Sequence, residues 1–122
     1  MPEEQSVVSA ETRGGALVLM VHVARFDGAT AGPIQEAIEA AAERTSAAAV
    51  VIDLGEVEEL SSVGLGVLVH LHALFVRSGM RFAVCGARGG AAEAIRITRL
   101  DRLFEVRVSV ADFLTRLRQE KA

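Results

Sequence analysis

Residues 48–77 read AAVVIDL, then GEVEEL, then SSVGLGVLVHLHALFVR. The first block, residues 48–54, is a nearly unbroken apolar run with β-branched residues at its centre. It is too short for a typical helix and predicts a strand buried on both faces, as parallel sheets produce. A short acidic loop follows. Residues 65–77 then read as a helix, with Ser61 or Ser62 at its start and Gly79 at its end. Strand, short loop and helix in this order make one unit of an α/β sheet.

Working outward, residues 81–85 (RFAVC) form a second short buried strand. On the N-terminal side, residues 17–23 (LVLMVHV) read as a strand that Asp27-Gly28 ends. Gly14-Gly15 predicts a tight hairpin to an edge strand near residues 7–11. Residues 33–44 place Ile34, Ala37, Ile38 and Ala41 on one helical face and Gln35, Glu36, Glu39 and Glu43 on the other. Thr30 is the expected N-cap, with Pro33 in the first turn. Gly89-Gly90 precedes a helix over residues 91–97, and residues 104–108 form a last strand. Ser109 then caps a helix whose Val110, Phe113, Leu114 and Leu117 share a face, with Asp112 three residues after the cap. The order β-β-α-β-α-β-α-β-α predicts a small α/β domain: a mostly parallel or mixed sheet of about five strands with about four helices. Chemistry on such sheets lies near strand carboxyl ends, here Asp27, residues 55–62 and residues 86–90.

The chain has 122 residues, room for about one domain, and 51% are hydrophobic, enough for a packed core. Residues 1–122 are expected to form one domain with its core at about 7–118. A net charge of −3 and 4% aromatics, with no Trp or Tyr, argue against a nucleic-acid reader, which needs a basic surface or stacking rings. The single cysteine, Cys85, allows no internal disulfide, so a reducing cytoplasm is the expected compartment. The first residues lack a signal-peptide pattern, and no run of 18 apolar residues predicts a membrane span.

Most chemical constellations fail on spacing. His70 and His72 point about 200° apart on a helix and cannot share an ion; His22 is expected mid-strand, so no metal and no cofactor are expected. Ser62 has Gly64 after it but Leu60 before it, half of a nucleophile elbow, and no histidine is expected in a strand-end loop to act as its base. Catalytic residues are therefore not assigned. Residues 86–90 (GARGG) lack both phosphate-loop spacings and read as a strand-to-helix turn. Cys85 reads as a core residue, and Glu56, Glu58 and Glu59 as a solvated loop.

The helix after Ser62 is different. It has almost no polar face: Leu68, Leu71 and Phe75 form one stripe, and Val69, Ala73 and Val76 another. A helix apolar all round is either buried or carries a surface for a partner. Gly64 and Gly66 in its first turns cost about 1 kcal/mol each relative to alanine, which close backbone approach would explain. A serine at a helix N-terminus is also a place where an added phosphate is stabilised by free N–H groups and the helix dipole.

These residues carry a resemblance. Val51-Ile-Asp-Leu, a short loop and Leu60-Ser-Ser-Val-Gly-Leu-Gly-Val-Leu resemble the STAS domain of bacterial anti-sigma-factor antagonists. Phe26-Asp-Gly-Ala-Thr-Ala resembles the family's loop into the first helix, and Val84-Cys-Gly and Thr98-Arg-Leu-Asp-Arg-Leu-Phe resemble later segments. The resemblance spans residues 7–118. It implies a non-enzymatic protein that binds an anti-sigma factor, itself a serine kinase, and so releases a sigma factor. It implies phosphorylation of the serine at the second helix's start, Ser62, with Ser61 the second choice, and resetting by a PP2C-type phosphatase. The implied partner surface comprises Asp27, Thr30, Ser61, Ser62, Val63, Gly64, Leu65, Val69 and His72. Three positions depart from the family pattern: Ser61 stands where Asp is frequent, Val63 where Ser, Thr or Ala is frequent, and Arg99 where Gly is common. The alternative is a STAS scaffold or accessory subunit of a transport or stress-sensing complex, without phosphorylation.

Overall fold

Strand alternation in Ala49–Asp53, the central strand β4, divides the core in two. Val50 and Ile52 point to one side and Ala49 and Val51 to the other, and all four are fully buried. The computed structural model describes residues 6–121. Before β4 come β1 (Val8–Arg13), β2 (Ala16–Val21), β3 (Arg25–Phe26) and α1 (Ala31–Glu43). After it come β5 (Glu59–Leu60), α2 (Ser62–Arg77), β6 (Arg81–Cys85) and α3 (Gly89–Ile97). A 3-10 turn (Leu100–Arg102), β7 (Glu105–Arg107) and α4 (Val110–Lys121) complete the chain.

The main sheet has the order β1-β2-β4-β6-β7, with only β1 antiparallel. Helices α1, α2 and α3 cover one face through Ile34, Ile38, Leu68, Leu71, Phe75 and Ile95. Helix α4 covers the other through Val110, Phe113 and Leu117, against the small side chains Ala16, Ala49, Ala83 and Cys85. The predicted mixed sheet with four helices is therefore present. The β1–β2 hairpin closes on Gly14 and Gly15, whose φ angles of 56° and 87° suit a two-residue turn matching strand twist. Arg81 fastens the far edge: its guanidinium donates two hydrogen bonds of 3.0 Å to Glu105, pairs with Glu120, and lies over the Phe113 ring.

Several boundaries differ from the expectations. Helix α1 starts at Ala31, two residues before Pro33, because Ile34 N–H already bonds back to Thr30. Thr30 occupies the N-cap position, but its hydroxyl does not cap the helix. Helix α3 includes Gly89 and Gly90 as its first turn. Strand β2 stops at Val21, so His22 lies beyond the strand rather than within it. The pairing of β3 with β5 was not expected at all, since two-residue strands carry no periodicity.

Arg99 has φ 61° and ψ 28°, the left-handed region, and is the one non-glycine residue with positive φ among the described residues. Glycine would be relaxed here, whereas a side chain in this conformation costs about 1–2 kcal/mol. Arg99→Gly is expected to stabilise the fold by up to about 1 kcal/mol, after subtracting the added freedom of the unfolded chain. Thermal or urea unfolding checks this; a destabilised variant would contradict it.

Candidate functional site

The short β3–β5 ladder builds the site. Glu58 and Glu59 N–H groups both bond to the Ala24 carbonyl, at 2.8 and 3.0 Å, and Phe26 pairs with Leu60 in parallel register. One residue on, the Ser61 N–H donates to the Phe26 carbonyl at 3.0 Å. The start of α2 is thereby fixed beside Asp27. Gly64 seals the junction: a Cβ there would lie 2.5 Å from the Phe26 carbonyl oxygen and 2.8 Å from a Leu60 methyl. The Asp27 loop is held just as firmly. Asp27 accepts from the Ala29 N–H at 3.0 Å, while the Thr30 hydroxyl donates to the Arg25 carbonyl at 2.8 Å and accepts from the Asp27 N–H at 3.0 Å.

The two serines have separate tasks. Ser61 is the N-cap of α2, with extended backbone, and its hydroxyl accepts from the Gly64 N–H at 3.2 Å. Serine and aspartate are both strong N-caps, so either residue would serve at position 61. Ser62 is the first helical residue and is exposed to solvent. Its hydroxyl sits where unpaired backbone N–H groups and the helix dipole favour negative charge.

The two apolar stripes of α2 separate cleanly. Leu68, Leu71 and Phe75 are buried. On the other side Ala73 is exposed, Val63 and Val76 are half exposed, and Val69 is partly exposed. The structure thus brings Asp27, Ser62, Val63 and Val69 to one accessible region. Gly64 is buried and acts through the closeness of α2 to β3. Leu65 packs partly into the core, and half-buried His72 leans its ring on Phe82 and Phe104 with centroids 5.8 and 5.9 Å away. Gly66 and His70 are exposed on the Ser62 side but were not among the expected partner residues; counting helical turns from Ser62 (62, 66, 69–70, 73) adds them. A Cβ at Gly66 would meet nothing within 4 Å, so this glycine, unlike Gly64, has no packing reason inside the chain.

Other groupings are structural. His22 lies at the end of β2, a correction to its expected mid-strand place, and bridges Ser9 at 2.7 Å and Glu56 at 3.1 Å. The order Ser-His-Glu resembles a hydrolase relay, but Ser9 lies within a paired strand rather than on a sharp strand-to-helix turn. Glu59 pairs with Arg25 at 3.0 Å, so of the three loop glutamates Glu56 is held by a hydrogen bond to His22 and Glu59 by an ion pair. Gly86 and Gly90 in the 86–90 turn are tight approaches: a Cβ would lie 2.8 Å from an Asp53 carboxylate oxygen at Gly86 and 2.7 Å from the Glu58 carbonyl oxygen at Gly90. Burial pushes the Cys85 thiol up to about 12, with nearby Asp53 adding to the effect, which leaves it protonated and inert at neutral pH. Among the described residues no cluster of three His, Cys, Asp or Glu side chains is placed to hold a metal, and no helix is long and apolar enough to cross a membrane.

A family model for the STAS domain matches residues 7–113. An anti-sigma factor antagonist from Mycobacterium paratuberculosis shares 35% identity, with a TM-score of 0.80 over 91% of this chain and 92% of that one. A STAS-domain anti-sigma-factor antagonist protein from Planctomyces limnophilus superposes with TM-score 0.79 at 19% identity, over 88% and 95% of the two chains. RsbS from Moorella thermoacetica, in a form with glutamate replacing a serine, superposes at 0.70 with 17% identity, over 92% and 97%. These last two share the fold. No curated protein matches the sequence.

Two contrasts test the local geometry. Ser61→Ala is expected to cost about 0.5–2 kcal/mol through the lost cap, whereas Ser62→Ala stays within about 0.5 kcal/mol of wild type. Gly64→Ala is expected to destabilise by about 1–3 kcal/mol through overpacking, while Gly66→Ala stabilises by up to about 1 kcal/mol through helix propensity. Urea unfolding of the four variants checks both orders; a reversal of either would contradict the assigned roles.

Proposed function

The chain belongs to the STAS-domain family of anti-sigma-factor antagonists, and from that premise we propose that it acts as such an antagonist in the cytoplasm, controlled by phosphorylation. It binds an anti-sigma factor that is also a serine kinase, using the exposed side of α2 and the Asp27 loop, and the sigma factor is released. The kinase transfers the γ-phosphoryl of ATP to the Ser62 hydroxyl, leaving ADP. The new phosphate carries about −1.5 to −2 charges. It is well placed for the helix N-terminus but stands on the rim of an apolar surface, where partner docking would strip its water. Burying an unpaired charge costs several kcal/mol, so the partner leaves. A PP2C-type phosphatase removes the group by hydrolysis and restores the binding form. The protein itself needs no catalytic group in this cycle.

The observation that carries this reading is the division of labour between the serines. Ser61 is occupied as the cap, and Ser62 presents its side chain to solvent one residue further on. Modification at Ser62 therefore adds charge without dismantling the helix start.

With ATP and the cognate kinase, mass spectrometry is expected to find one phosphate on the wild type, at Ser62, and none on Ser62→Ala. Full labelling of the Ser62→Ala variant would move the site. Ser62→Asp is expected to weaken partner binding with a melting curve close to wild type, because an acidic residue in the first turn suits the dipole. Unchanged affinity in calorimetry would favour the scaffold reading.

A further inference from the structure

Among the described residues both ends of the main sheet leave a strand edge unpaired, β1 at one end and β7 at the other. The β7 edge is the unusual one. Five large apolar side chains are exposed among the described residues; Leu103 at 45% and Val108 at 82% stand just before and just after β7, and Ile97 at 64% ends α3. Beside the strand, between it and α3, lies a cleft of about 180 Å³ lined by Ala87, Ala92, Ile95 and Val106, with Arg96 and Asp101 also at its wall. Val106 is the middle residue of β7, so the cleft opens on the side of the sheet that a neighbouring strand's alternate side chains would share.

Charge is distributed unevenly along the chain. Residues 1–60 carry 11 acidic and three basic side chains, and residues 61–122 carry five acidic and 10 basic. Arg99 and Arg102 are exposed in the turn leading into β7, and neither is in an ion pair among the described residues. Arg99 is also held in the left-handed conformation, where glycine would be relaxed. A charged side chain retained at a strained backbone position points to a task for that side chain.

We propose that the β7 edge is a second docking surface, separate from the Ser62 face, which takes an extended acidic segment of another protein. The segment adds to the sheet by backbone hydrogen bonds along β7, the recognition mode of strand addition. One aliphatic side chain enters the α3–β7 cleft, and its carboxylates meet Arg99 and Arg102. An anionic bilayer would also attract arginines beside apolar side chains. It offers no strand to pair with the edge and no single side chain for the cleft.

The probe is a fluorescein-labelled peptide of alternating glutamate and isoleucine or leucine, titrated with the full chain and read by anisotropy. Wild type is expected to bind it, and a lysine-for-glutamate peptide is not. The double variant Arg99→Glu, Arg102→Glu is expected to weaken binding about tenfold or more. Arg99→Gly is expected to weaken it about threefold while raising the melting temperature, a split that a purely structural role would not produce. Ser62→Asp leaves this titration unchanged, so its result is independent of the kinase reading. Equal binding of both peptides, no binding at about 1 mM, or an unaffected double variant overturns the proposal. Sedimentation of the wild type, but not the double variant, with phosphatidylglycerol vesicles would overturn it in favour of a lipid surface.

Discussion

The Phe26 carbonyl does two things at once. It accepts the Ser61 N–H at 3.0 Å, and it lies so close to Gly64 that no side chain fits between them. Through this contact the β3–β5 ladder ties the loop after β2 to the start of α2, although the two are far apart in sequence. Without it, Asp27 and Ser62 would belong to separate strand-end loops. With it they form one surface whose geometry is set by backbone hydrogen bonds rather than by flexible side chains. Such a surface is preorganised, so less ordering entropy opposes binding.

A rigid junction also explains how a modification can act locally. The cap that starts α2 belongs to Ser61, and the helix's buried stripe of Leu68, Leu71 and Phe75 anchors the rest. If Ser62 carries the phosphate as proposed, the group one residue past the cap disturbs neither, and its effect falls on the partner proposed to dock against Val63, Val69 and Ala73. Under the proposed function the switch is electrostatic, with the fold acting as a fixed stage, and Gly66 keeps the exposed side of the helix flat enough for close approach.

Much of this was legible in the residues. The buried run at 48–54, the helical spacing after Ser109 and the glycine pair at 14–15 each carry a strong local signal, and each produced the expected element. The resemblance to STAS domains rested on the Asp-Leu strand and the Ser-Ser-x-Gly-Leu step, which the family match and the sheet order bear out. The stripes of α2 were visible as two periodic sets, but periodicity does not say which set faces in. That depends on packing against β6 and α1, which is tertiary information.

The β3–β5 ladder was invisible because two residues per strand leave no pattern to read. His22 was misplaced for a related reason: an apolar run marks burial, and it does not mark where strand pairing stops. Gly64 and Gly66 look alike in sequence and have opposite surroundings. Arg99 was noticed only as a departure from glycine, and its left-handed backbone supplies the cause.

Calorimetric titration of an anti-sigma-factor kinase with the unmodified protein and with protein quantitatively phosphorylated at Ser62 tests the central claim most directly. The account predicts binding of the unmodified form and a loss of about 3 kcal/mol or more on phosphorylation, with the fold intact by circular dichroism. Equal affinity of the two forms would contradict it.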